Sequence, residues 1–191
     1  GVSIGGNFAA ANFENIEVSA PTTTGLEMDG SAFTSVDGLT VTGGNYGVLV
    51  GLTSGGRLDV TNSALSGQSI AGVSYLRDIS GSFAGTITGS AGAAIEYGTA
   101  THEDHTYDSL SLSANTVGMS LNGKGTFDFT NSNFANTEDF NIGGSSIVTF
   151  IDGNVDETTV AVSGTGLFKR ARSLEITLTA DGSNVVGTKI M

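Results

Sequence analysis

Leu58-Asp-Val-Thr-Asn-Ser-Ala-Leu65 returns further along the chain as Phe127-Asp-Phe-Thr-Asn-Ser-Asn-Phe134. The Asp, Thr, Asn and Ser positions are identical in the two stretches, and the three apolar positions stay apolar. The starting positions, 58 and 127, are separated by three periods of roughly 23 residues, a length typical of repeat proteins. In such solenoids each repeat stacks on its neighbours.

A second repeat with a similar period runs along most of the chain. Short apolar-x-apolar triplets recur at intervals of roughly 20–25 residues, again within the range of solenoid repeats, and most lie beside a glycine. Alternation with a period of two indicates a short strand with one buried face. These triplets begin at Leu26, Val48, Val73, Ile95, Met119, Phe140 and Val160. Between them lies a further series, which begins at Leu39, Leu58, Leu110 and Phe127.

The two series together predict an all-β fold, a single-stranded parallel β-helix with about 20–25 residues and three short strands per coil. The clearest coils span residues 25–164. Leucine-rich repeats need a leucine-asparagine consensus that is absent here, and propeller blades are about twice as long. Asn62 and Asn131 are at equivalent positions, and asparagine tolerates the left-handed conformation that a tight corner requires.

These glycine-flanked triplets and the Leu58–Leu65 and Phe127–Phe134 repeats resemble those of the pectate-lyase-like right-handed parallel β-helix superfamily. The resemblance covers roughly residues 25–164 and concerns the architecture. It implies a right-handed coil, in agreement with the crossover rule for parallel strands. It also raises the alternative of a polysaccharide lyase or glycoside hydrolase.

The composition excludes several classes of function. The chain has 29 glycines, one proline and no cysteine, and 19 acidic against 7 basic residues give a net charge of −12. This sign is wrong for electrostatic binding to nucleic acid. The sequence contains no apolar run long enough to span a membrane. An acidic, lysine-poor surface rich in Ser, Thr and Gly favours an extracellular or cell-surface protein.

The sequence patterns near the two ends of the chain divide it into two predicted parts. Residues 1–164 are assigned to the β-helix, because Phe13-x-x-Ile16-x-Val18 matches Val36-x-x-Leu39-x-Val41 and indicates an earlier coil. Residues 165–191 contain two alternating segments around a turn, which predicts a C-terminal β-hairpin. This hairpin resembles the start of an immunoglobulin-like or carboxypeptidase-regulatory-like sandwich. A simple cap of the β-helix is the alternative.

The main candidate site is an insertion at residues 98–108, which contains both histidines of the chain. Histidine and carboxylate side chains are suitable ligands for a divalent cation, so His102, Asp104 and His105 are the predicted ligands of Ca²⁺ or Zn²⁺. Glu103, Tyr107 and Asp108 lie beside them and are predicted to contact a ligand. A solvated polar loop is the alternative interpretation.

No catalytic residue is assigned. Carboxylates in the coils are spread along the chain, and Asp59 and Asp128, three coils apart, are separated by about 14 Å. A glycosidase pair needs about 5–9.5 Å. The sequence therefore favours a scaffold segment of an exported or cell-surface protein. Its expected partners are polysaccharide and neighbouring domains of a longer chain. Polysaccharide would be bound weakly, or in the role of an adhesin.

Thr-x-Thr ladders suggest a further idea, the binding of ice or another regular lattice. Thr40 and Thr42 are separated from Thr86 and Thr88 by two coils. The coil between them is expected to present Asp59 and Thr61, which would interrupt the ladder.

Overall fold

The computed structural model describes residues 1–5, 11–29, 33–51, 57–77, 80–173, 177–180 and 183–186. It is an all-β structure in which parallel sheets stack as a solenoid of about seven turns. The predicted fold class, a parallel β-helix, is therefore confirmed. Each coil contributes one short strand to a first sheet and one long strand to a second sheet.

The first sheet contains eight parallel strands. Numbered in chain order, they are β1 (Val2–Gly5), β3 (Thr24–Asp29), β5 (Tyr46–Val50), β7 (Ala71–Tyr75), β9 (Ala93–Tyr97), β12 (Val117–Leu121), β14 (Glu138–Ile142) and β16 (Val160–Val162). Their register aligns the triplets in the predicted order, from Leu26 beside Val48 to Phe140 beside Val160. The first repeat series is thus confirmed strand by strand.

The second sheet contains the long strands. They are β2 (Ala11–Ser19), β4 (Phe33–Thr42), β6 (Arg57–Ser66), β8 (Ser80–Thr88), β10 (His105–Asp108), β11 (Ser111–Ser113), β13 (Thr126–Ala135), β15 (Ile147–Asn154) and β17 (Leu167–Ala171). In one coil the long strand is divided into β10 and β11, which both pair with β13. A 3₁₀ turn, Glu157–Thr159, lies between β15 and β16.

A column of residues with positive φ bends most of the long strands near their middle. Asn62 (φ 50°) and Asn131 (φ 51°) belong to this column, as predicted for corner asparagines. The bend divides the long strand into two straight segments, which correspond to two of the three predicted strands. The other described members of the column are Asn15, Gly38, Ser109 and Asp152.

The second predicted series mixes positions from both sides of this bend. Leu39 pairs in register with Ser63, because Asp37 lies beside Thr61 and Thr40 beside Ala64. Leu58 instead lies before the bend, beside Thr34. The alignment of Leu39 with Leu58 was therefore wrong, because Leu39 lies after the bend and Leu58 lies before it. Apolar residues face inward on both sides of the corner, so the two segments have the same sequence pattern.

The core lies between the two sheets and is continuous along the described coils. A column of glycines in the first sheet lets the sheets approach closely where the second sheet follows its bend. A Cβ built on Gly72 would lie 2.4 Å from Cγ2 of Ile87, and one on Gly25 would lie 2.5 Å from Cγ1 of Val41. Only glycine fits this spacing without movement of the neighbours.

Both ends of the chain contain features that the sequence predicted. Phe13 and Ile16 pair with Val36 and Leu39, which confirms an additional coil before residue 25. Near the C-terminus, β18 (Thr177–Ala180) and β19 (Ser183–Val186) pair antiparallel as a hairpin. The predicted boundary between the two parts, residues 1–164 and 165–191, stays a prediction.

Candidate functional site

The insertion lies where the first sheet passes into the second. Residues 98–104 connect β9 to β10, whereas residues 122–125 make this connection in the next coil. The bridge between Thr101 and Lys124 joins the two connections. Part of the insertion is buried, since His102 is 4% exposed and His105 is 3% exposed. The interpretation as a solvated polar loop therefore does not hold for its two histidines.

The six predicted site residues separate into a buried and an exposed group. Tyr107 faces the core, is 1% exposed and stacks against His105. Glu103, Asp104 and Asp108 are exposed. Among the described residues, the structure brings no three His, Cys, Asp or Glu side chains close enough together to share a metal ion. The predicted Ca²⁺ or Zn²⁺ site therefore stays a prediction.

The buried histidines pack against aromatic rings of neighbouring coils. His105 stacks on Phe127, with ring centroids 5.5 Å apart and an interplanar angle of 7°. His102 and Tyr97 form a T-shaped pair, with ring centroids 4.9 Å apart. Tyr97 in turn stacks on Tyr75 at 4.6 Å, because the two residues pair in adjacent strands of the first sheet. Offset-stacked and edge-to-face geometries are the favourable arrangements of aromatic rings.

Polar atoms of this cluster are mostly satisfied by groups within the fold. Nε2 of His102 donates to the carbonyl of Gly98 at 3.1 Å, and Nδ1 of His105 donates to the carbonyl of Gly81 at 3.3 Å. The hydroxyls of Tyr97 and Tyr107 form a hydrogen bond with each other. Two buried atoms, the Tyr75 hydroxyl and Nδ1 of His102, have no partner among the described residues.

Burial controls the ionisation of the three tyrosines in the cluster. It raises the pKa of Tyr75 and of Tyr97 well above the usual value, and repulsion from Tyr107 raises both further. Burial also raises the pKa of Tyr107, although the hydrogen bond from Tyr97 partly opposes this effect. All three side chains are therefore neutral at physiological pH and act as core residues.

Asp108 has a clear structural role in the next contact between coils. Its Oδ1 accepts hydrogen bonds from the Thr130 hydroxyl at 2.8 Å and from the Asn131 amide at 3.0 Å. These bonds favour the ionised form and lower the pKa of Asp108. Ser132 completes the contact, since its hydroxyl accepts from the backbone N–H of Leu110 at 3.2 Å. We call this arrangement the Asp/Thr-Asn-Ser clamp.

The same clamp joins two earlier coils. Oδ1 of Asp37 accepts from the Thr61 hydroxyl at 2.9 Å and from the Asn62 amide at 2.7 Å. The Ser63 hydroxyl accepts from the backbone N–H of Leu39 at 3.0 Å. The repeated Thr-Asn-Ser sequence therefore encodes a contact to the preceding coil, and its acidic partner belongs to an Asp-x-Leu sequence one coil earlier.

Glu103 lies near a pair of oppositely charged side chains on the outer surface, Arg57 and Asp59. Arg57 forms a 2.7 Å ion pair with Asp59. Hydrogen bonding and attraction from Asp59 raise the pKa of Arg57, and the negative charge of Glu103 contributes to the same shift. An exposed pair of this kind adds little to stability.

A second buried polar network lies at the opposite corner of the solenoid. Asn115 donates to Oδ1 of Asn136 at 2.8 Å, and Asn136 donates to Oδ1 of Asp139 at 3.0 Å. Oδ2 of Asp139 accepts from the backbone N–H of Asp156 at 3.0 Å. Asp139 is 1% exposed and forms the floor of an open cleft of about 680 Å³, whose rim includes Glu157. Sequence reasoning did not single out this cleft.

A row of hydroxyl side chains covers the second sheet beyond its bend. Thr40 lies beside Ala64 and Ala64 beside Thr86, so the coil between the two Thr-x-Thr pairs does not present Asp59 and Thr61 there. That expectation was wrong, because it aligned residues from before the bend with residues after it. Alignment on Asn62, the corner residue, would have given the correct register.

Comparison with protein-family models, curated proteins and solved structures finds no significant match to this chain. In the part of the chain that the structure describes, no helix has the length and hydropathy of a membrane span.

Proposed function

We propose that this chain is a scaffold segment of an exported or cell-surface protein, built on the pectate-lyase-like version of the parallel β-helix. The observation that carries the proposal is that side chains of the insertion at residues 98–108 contribute to the packing and bonding between coils. Its histidines and Tyr107 are buried and packed between coils, where they support the core. Asp108 belongs to a clamp between coils.

The contacts between coils support a mechanical role. In solenoids each repeat contacts only its neighbours, so rigidity depends on the interfaces between repeats. Here these interfaces include the continuous core, the aromatic stacks and two Asp/Thr-Asn-Ser clamps. A segment of this kind would hold neighbouring domains of a longer chain at a fixed separation.

Weak carbohydrate binding accompanies this proposal, and the cleft beside Asp139 is its best location. Asn154, Asp156 and Thr158 line the cleft with amide, carboxylate and hydroxyl groups that can hydrogen-bond to sugar hydroxyls. Calorimetric titration with neutral and acidic oligosaccharides should give weak, saturable binding that Asn154→Ala reduces. Absence of binding to every oligosaccharide would remove carbohydrate from the proposal.

The test of the scaffold proposal is an assay for its alternative, a polysaccharide lyase or hydrolase. The chain is incubated with acidic and neutral polysaccharides, with and without Ca²⁺, and new chain ends are measured. We expect no depolymerisation above that of the heat-denatured chain. Depolymerisation that requires the folded chain would overturn the scaffold proposal in favour of an enzyme.

A further inference from the structure

Eight side chains lie on the outer surface of the second sheet after its bend, which we call the hydroxyl face. Four consecutive coils each contribute two outward residues to it. All of them are threonine or serine except Ala64, the one member without a polar side-chain atom. The members are Thr40, Thr42, Ala64, Ser66, Thr86, Thr88, Ser111 and Ser113.

These residues form two straight columns with a regular spacing in two directions. In the first column Thr86 lies between Ala64 and Ser111, and in the second Thr88 lies between Ser66 and Ser113. Neighbouring coils are about 4.8 Å apart, and alternate residues of a strand are about 6.7 Å apart. The register shift in β6 and β8 lies between Val60 and Ser63, outside the columns.

The core behind the hydroxyl face holds it in a fixed shape. Val41, Leu65 and Ile87 lie between the two columns in sequence, point inward and are fully buried. They pack against the glycine column of the first sheet, where a Cβ on Gly47 would lie 3.0 Å from Cδ1 of Leu65. A surface that is already ordered loses little conformational entropy when it binds a rigid lattice.

The chemistry of the hydroxyl face restricts what it can bind. The chain carries 19 acidic residues, yet these two columns contain no charge across four coils, and the first charge appears at Glu17 in the coil before them. The face also contains no aromatic ring for sugar stacking. Within it, the one side-chain hydrogen bond among the described residues joins Ser113 to Thr88 at 3.3 Å. Methyl and hydroxyl groups therefore face solvent together.

We propose that the hydroxyl face binds ice. Ice presents an uncharged array of hydrogen-bonding oxygens that repeats in two dimensions, as the two columns of this face do. Each contact is weak in water, because protein–water hydrogen bonds are exchanged for others of similar strength. Simultaneous contacts from a rigid array make such weak interactions effective. This inference is independent of the scaffold proposal.

The test compares two charge-matched double variants of the full chain. Thr42→Lys with Thr86→Lys places two ammonium groups on the hydroxyl face. Thr106→Lys with Thr149→Lys places two on outward positions of the same sheet before its bend, on either side of Asp128. Circular dichroism and thermal unfolding first establish that both variants fold. Partition into growing ice and inhibition of ice recrystallisation are then measured.

We expect the wild type and the Thr106/Thr149 variant to enter ice and slow recrystallisation, and the Thr42/Thr86 variant to lose both activities. A third variant, Thr42→Ser with Thr86→Ser, should retain part of the activity because it keeps the hydroxyls. Absence of ice activity in the wild type would overturn the proposal, as would equal loss in both lysine variants. Binding to crystalline cellulose or chitin without ice binding would also overturn it and assign the face to polysaccharide.

Discussion

Asn62 and Asn131 lie in coils three turns apart and make the same contact with the same backbone conformation. Their φ angles are 50° and 51°, and each amide donates to a carboxylate of the preceding coil, Asp37 or Asp108. One residue type thus turns the strand and also joins two coils. This dual role explains why the repeat that decides the fold contains asparagine at this position.

The first prediction separates the two roles of Asn131. Asn131→Ala should destabilise the chain by about 1–2 kcal/mol from the left-handed conformation alone, and the lost hydrogen bond adds to this. Asn131→Gly loses the same hydrogen bond but adopts positive φ freely, so it should be less destabilising than alanine. Urea unfolding followed by circular dichroism measures both variants.

Asn133→Ala is the matched control, because Asn133 is exposed in the same strand. It should change the free energy of unfolding by less than about 0.5 kcal/mol. Equal destabilisation by alanine and glycine at position 131 would contradict the role assigned to the left-handed conformation.

The second prediction concerns acid. Hydrogen bonds from Thr130 and Asn131 lower the pKa of Asp108 in the folded state, so the unfolded state takes up its proton first as the pH falls. The stability from this clamp is therefore present above the unfolded pKa of about 3.9 and is lost as the pH falls from there through the lower pKa of the folded state. Asp108→Asn should weaken the dependence of unfolding on pH below about pH 5.

Asp104→Asn is the control for this acid titration, since Asp104 is also exposed and lies in the same insertion. It should leave the slope close to that of the wild type. An unchanged slope in Asp108→Asn would contradict the clamp as a source of acid sensitivity.

The third prediction concerns the buried tyrosine hydroxyls. Tyr97→Phe should destabilise by about 1–3 kcal/mol, because it leaves the Tyr107 hydroxyl buried without its partner. The double variant with Tyr107→Phe removes both hydroxyls and should cost less than the sum of the two single changes. Tyr75→Phe removes a hydroxyl that has no partner among the described residues and should be neutral or stabilising.

Thermal and urea unfolding of the four variants complete this cycle. Additive effects at positions 97 and 107 would show that the two hydroxyls act independently, against the hydrogen bond in the structure. Marked destabilisation by Tyr75→Phe would show that its hydroxyl has a partner in solution.

The fourth prediction concerns the glycine column. Gly72→Ala places a Cβ 2.4 Å from Ile87 and 2.7 Å from the carbonyl of Ala94, so it should cost about 1–3 kcal/mol through overpacking. Gly98→Ala is the control, because a Cβ there meets its neighbours at 3.5 Å, an ordinary contact distance. Equal stability of the two variants would contradict the close approach of the sheets.

The repeat period, the strand order and the corner asparagines could be predicted from the sequence because each coil repeats the same local chemistry. The triplets that begin at Leu26, Val48 and Val73 share one spacing of apolar residues and lie beside glycine, so periodicity alone aligned them. The second series failed because a strand that bends places apolar residues inward on both sides of the corner. Leu39 and Leu58 have the same pattern on different segments.

The candidate site was harder to predict, because a sequence shows which groups are present and not what they face. His102 and His105 look like ligands in a polar stretch, but the fold places both in the core, His102 against Tyr97 and His105 against Phe127. Asp108 is recognisable as a clamp residue only when Thr130 and Asn131 lie one coil above it. Both facts depend on contacts between neighbouring coils, which lie far apart in the sequence.

The most direct test of the scaffold account is calorimetric titration of Zn²⁺, and separately of Ca²⁺, into the folded chain. The same titrations are made with the variant His102→Ala, His105→Ala after its fold has been checked by circular dichroism. If the two histidines support the core, as the scaffold account holds, neither protein gives saturable binding. Saturable binding by the wild type that disappears in the double variant would contradict the account and establish the predicted metal site.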